Sequence, residues 1–80
     1  MEDYINISLD CSPYLGEELD LRVPTSMTLR ELLIIVSDSY GLSLDIENPS
    51  ARNKQTGAII TSTSRLVHLK DGALLALENI

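Results

Sequence analysis

Residues 4–10, Tyr-Ile-Asn-Ile-Ser-Leu-Asp, alternate apolar and polar side chains, with Ile5, Ile7 and Leu9 turned to one side. A period of two is that of a strand with one buried face. Cys11-Ser12-Pro13-Tyr14-Leu15-Gly16 collects turn formers. The alternation then resumes in Glu18-Leu19-Asp20-Leu21-Arg22-Val23, with Leu19, Leu21 and Val23 expected inward. Two such runs joined by a short turn predict an N-terminal antiparallel hairpin, which Pro24 closes.

From Thr28 to Gly41 the period changes from two to that of a helix. Leu29, Leu32, Leu33, Val36 and Tyr40 form one apolar stripe, with Arg30, Ser37 and Asp38 opposite. Thr28 and Glu31 stand at the spacing of a capping box, and Met27 and Leu32 at that of a hydrophobic staple. Gly41 supplies the left-handed residue that ends a helix of about 29–40. Two residues break the division into faces. Ile34 falls on the Arg30/Asp38 side and Ile35 on the flank with Glu31, more apolar surface than one-sided packing needs.

Beyond Gly41 the pattern weakens. Leu42-Ser43-Leu44-Asp45-Ile46 reads as an ordered connection whose leucines cover the helix end. Ser50 to Asn53 is a candidate strand, Lys54 to Gly57 a turn, and Ala58 to Thr61 a short strand. Ser62-Thr63-Ser64 is polar and expected to be exposed. Arg65 to Leu69 is one loose helical turn. Asp71-Gly72 is a turn before the last strand, Ala73 to Glu78.

One helix covers only one face of a sheet, so the expected architecture is α+β. The helix lies across a mixed sheet of four to five strands. The apolar last strand belongs in the centre, parallel to the first, a pairing that the crossover through the helix permits. Eighty residues suit one domain over residues 1–80.

Composition narrows the function. Twelve Asp and Glu against six Lys and Arg give a formal charge of −6, so nucleic acid is not an expected partner. No apolar run is long enough to span a bilayer and no basic leader precedes the first strand, so direct membrane insertion is not expected and a cytoplasmic location is. The single cysteine leaves no internal disulfide and suits a reducing compartment. Without Phe or Trp, the core must be built from Leu, Ile and Val.

Catalytic chemistry finds little support. Cys11 and His68 are one residue of each kind, and packing and solvation explain them more simply than a thiol and its base. Glu17, Glu18 and Asp20 lack the spacing of a calcium loop. Neither a phosphate loop nor a Cys/His metal pattern is present. No enzyme activity, catalytic residue, metal or cofactor is expected.

The order of hairpin, capped helix and closing central strand resembles the β-grasp fold of ubiquitin. The likeness lies in the start of the helix, the spacing of Leu29, Leu32 and Val36, the glycine at Gly41, and Leu69, Leu75 and Leu77 near the end. A narrower resemblance rests on Asp20-Leu21-Arg22-Val23-Pro24, the helix, Arg65-Leu66, and Asp71-Gly72 before a leucine-rich end. These are similar to the YukD/EsaB group, small ubiquitin-like proteins of bacterial type VII (ESX/WXG100) secretion systems. The likeness runs from Ile5 to Leu77, with a shorter segment than usual between Arg65 and Gly72.

The resemblance implies a non-catalytic adaptor in a Gram-positive bacterium. It would bind a cytosolic part of the secretion machinery, or a regulator of it, in assembly or control of secretion. The alternative is a ubiquitin-like modifier or sulfur carrier activated through its C-terminus. Such proteins need a mobile Gly-Gly tail, and this sequence ends Leu77-Glu78-Asn79-Ile80. The candidate protein-binding residues are Ile34 and Ile35 on the helix, Leu74 and Ala76 on the open sheet face, and Tyr14 and Leu15 at the hairpin tip. Ala51 is a further candidate on the open face. A monomer or a weak homodimer is expected, the latter burying the surplus apolar helix residues.

Overall fold

The computed structural model describes residues 3–12, 16 and 18–80. Five strands form one mixed sheet: β1 (Tyr4–Asp10), β2 (Glu18–Pro24), β3 (Ser50–Asn53), β4 (Ile59–Ile60) and β5 (Ala73–Asn79). One helix, α1 (Leu29–Ser39), and a 3₁₀ turn, Leu66–His68, complete the elements. The strand order is β2-β1-β5-β3-β4. β5 is therefore central, parallel to β1 and antiparallel to β3.

The alternation of β1 and β5 sends one set of side chains toward α1. Ile5, Ile7 and Leu9 meet Ala73, Leu75 and Leu77 there, in one cluster with Leu29, Leu32, Leu33 and Val36 of the helix. Full burial of an aliphatic side chain of this size contributes about 1.5 to 3 kcal/mol, so these residues dominate the stability of the sheet–helix layer. Leu21, on the outer strand, is only partly buried, unlike Leu19 and Val23. Ala51, a candidate for the open face, is fully buried instead, because its register partners Leu77 and Ile60 carry it to the helix side.

Both ends of α1 are capped. At the N-terminus the Glu31 amide donates to Thr28 Oγ1 at 3.2 Å, and the Thr28 amide donates to Glu31 Oε1 at 3.1 Å. The two preceding helical amides, Leu29 and Arg30, donate to the carbonyls of Ser64 and Ser62. The first turn thus has no orphan donor left. The segment expected to be exposed is in fact a second cap. Ser62 is buried, and its hydroxyl donates to Asn48 Oδ1 at 2.8 Å.

At the C-terminus the Leu42 amide donates to the Ser37 carbonyl and the Gly41 amide to that of Asp38. With Gly41 at φ +64°, this is a Schellman motif. Tyr40 is the cap residue and not the last helical one. There the chain is already turning, and Tyr40 is 51% exposed and leaves the expected apolar stripe. Ser37, expected outward, is buried because the following segment folds over it.

The β3–β4 turn is organised by Asn53, whose Oδ1 accepts the amides of Gln55 and Thr56. That explains why a polar residue is buried at the end of a strand.

Candidate functional site

The outer flank of α1 carries two isoleucines in different surroundings. Ile34, 40% exposed, borders a groove whose other walls are Leu44 and Ile46 of the returning segment, with Ser37, Asp38 and Gly41. The groove exists because the Ser37 hydroxyl accepts the Leu44 amide at 2.9 Å, pinning that segment beside the helix. Ser37 and Ser43 line it too, so its lining is mixed polar and apolar, and Asp38 is the charged residue among the described ones that border it. Arg30, one turn before Ile34, does not line the groove; its guanidinium donates to the Glu47 carbonyl at 3.2 Å.

Ile35, 49% exposed, borders a second groove between α1 and β2. Leu21, Val23, Pro24, Met27 and Tyr40 are among its walls, while the Arg22 guanidinium lies on the other face of the sheet, over the Tyr4 ring. One helix therefore separates a mixed groove bordered by Asp38 from a more apolar one along β2. Leu44, Met27 and Tyr40 were not among the expected binding residues. The alternation in residues 42–46 was the available signal for Leu44, while nothing local marks Met27 and Tyr40 as neighbours across β2.

On the opposite sheet face Leu74 and Ala76 are half-buried. They are fenced by charge. Lys54 Nζ reaches Asp10 Oδ2 at 3.5 Å across β5, and Arg52 Nε meets Glu78 Oε2 at 3.1 Å. Ile59 lies on this face beyond Arg52, its register partner. The structure does not bring Leu74 and Ala76 together with Ile34 and Ile35. Tyr14 and Leu15 lie outside the described residues, as does Glu17.

Asp10 is held below the usual carboxylate range, first by the Ser12 hydroxyl and amide that donate to it and then by Lys54. Burial pushes the neighbouring Cys11 thiol up, and the Asp10 charge adds to that. A buried, protonated thiol is a poor nucleophile. His68 is exposed in a groove walled by Asn53, Gln55, Ile60 and Lys70, a set that does not include Cys11. Among the described residues no three His, Cys, Asp or Glu side chains gather as metal ligands. Among them, too, no helix is long and apolar enough to cross a membrane.

The two exposed isoleucines of α1 thus border separate grooves, one on each side of the helix. Comparison with protein-family models and with curated proteins finds no match to this chain.

Proposed function

We propose that the chain is a ubiquitin-like β-grasp domain and a non-catalytic adaptor of a type VII secretion system. It acts in the cytoplasm by binding a component of the secretion machinery or a regulator of it. The observation that carries the binding reading is the exposure of Ile34 beside Leu44 and Ile46, in a groove bordered by the Asp38 carboxylate. Exposed aliphatic side chains set among polar and charged ones are the make-up of a protein-recognition patch. The strand order, with β5 central and parallel to β1, supports the β-grasp reading. The secretion system enters through the resemblance of residues 5–77 to the YukD/EsaB group.

The test is photocrosslinking in native membranes, with a photoreactive side chain at Ile34 and, separately, at Leu74. The expected result is capture of a secretion-system component from Ile34 and not from Leu74. Capture at neither position, with the protein folded and abundant, rejects docking on the membrane machinery.

A further inference from the structure

We infer that the edge of β2 is a self-association surface, joining two copies of this chain β2 to β2 about a two-fold axis at Leu21. The inference is independent of the secretion reading.

β2 is the longer of the two sheet edges, seven residues against two in β4. Its free hydrogen-bonding groups follow from the register. Asn6 turns its backbone toward β5, its amide donating to Asp71 Oδ1 at 2.7 Å and its carbonyl accepting from Gly72 at 2.7 Å. Asn6 pairs with Arg22 and Ser8 with Asp20. In an antiparallel ladder hydrogen-bonded and non-hydrogen-bonded pairs alternate. Arg22 and Asp20 therefore point their amides and carbonyls away from β1, and no described residue pairs with them. An unpaired edge of this kind is a template for another strand.

The side chains decide which strand fits. With Leu21 opposite its symmetry mate, Asp20 stands opposite Arg22 of the second copy, and Arg22 opposite Asp20 of the second copy. Both opposite-charge pairs lie on the open face, and the same residues supply the four ladder bonds nearest the axis. On the helix face Leu19 stands opposite Val23 of the second copy, and half-buried Leu21 opposite itself. Such a patch is self-complementary, as a two-fold contact requires. Side chains on the open face are already arranged for it. Ser8 Oγ donates to Asp20 Oδ1 at 2.8 Å, and the Arg22 guanidinium lies 5.7 Å from the centre of the Tyr4 ring, so both are held on that face. Arg22 has no carboxylate partner among the described residues. The groove that holds Ile35 and Tyr40 runs along this same strand, so the second copy's β2 would extend its apolar wall.

The register is tested by charge reversal, read by sedimentation velocity on the full chain over a wide concentration range. The wild-type chain is expected to reach twice its mass of 8.8 kDa as concentration rises. Asp20→Arg and Arg22→Asp each place like charges opposite one another twice, and each is expected to weaken association by at least about tenfold. An equimolar mixture of the two variants puts every introduced charge opposite its complement, and the dimer is expected to return. Both positions are exposed, and circular dichroism checks that each variant is folded. A wild-type chain that stays monomeric, including one that takes up an extended peptide at this edge, overturns the inference. So does a dimer that both single variants leave intact, or a mixture that fails to re-form it.

Discussion

Ser37 and Leu44 are joined by a hydrogen bond from the Leu44 amide to the Ser37 hydroxyl, 2.9 Å long and part-buried. A helix residue of the expected polar face thus becomes the anchor for the segment that follows the helix. The bond also sets the width of the groove beside Ile34, since Leu44 and Ile46 form its far wall.

Ser37→Ala removes the acceptor and leaves the Leu44 amide unsatisfied in a partly buried place. Stability is expected to fall by about 1 to 3 kcal/mol. Urea denaturation gives the loss, and hydrogen exchange at the Leu44 amide is expected to accelerate by more than at amides of β1 or β5.

The capping box makes a pH prediction. The Thr28 amide and hydroxyl, which donate to the Glu31 carboxylate, hold it below its ordinary value of 4.5, with Arg65 adding to the effect. A depressed folded value means that the stabilisation is complete above 4.5 and is lost as pH falls through that lower value. Asp10 acts in the same direction below its ordinary 3.8. Melting temperature is expected to drop on acidification, and Glu31→Gln to remove part of that dependence. Thr28→Ala is expected to cost about 1 kcal/mol at neutral pH.

Leu66 and Val67 are adjacent in the 3₁₀ turn and should respond oppositely. Leu66 is fully buried and Val67 is 54% exposed. Leu66→Ala is expected to cost about 2 to 5 kcal/mol, enough to unfold much of the population of so small a protein. Val67→Ala should stay within about 0.5 kcal/mol of wild type. Chemical denaturation of the pair compares them directly.

Cys11 is buried beside the charge of Asp10, which keeps the thiol protonated. Alkylation by iodoacetamide is expected to be slow in the native protein and to rise with denaturant along the unfolding curve. Rapid labelling at neutral pH without denaturant would refute its placement in the core.

The parts of the fold legible in the sequence are those set by local period and local chemistry. Ile5, Ile7 and Leu9 announce a one-sided strand, Thr28 and Glu31 a helix start, and Gly41 its end. The apolar run from Ala73 to Leu77 announces a central strand. What stayed hidden depends on distant partners. Ser62 is buried because its carbonyl meets the Arg30 amide and its hydroxyl meets Asn48. Ala51 follows Leu77 and Ile60 inward through register, which a four-residue strand does not reveal by itself. Among the candidate binding residues, the surplus isoleucines of α1 were visible as exceptions to helical period. Their separate grooves were not, since each needs a wall from another element.

The helix cap formed by Ser62 and Ser64 has a bearing on how the molecule is made. On the ribosome, α1 is synthesised some thirty residues before the carbonyls that complete its first turn. The β1–β2 hairpin likewise waits for β5, its other neighbour, which comes last. Neither element can settle while the nascent chain is short, because its partners have yet to be translated. Closure of such long-range contacts slows folding and makes it cooperative. The first turn of α1 and the full sheet should therefore form together, only after translation has passed β5.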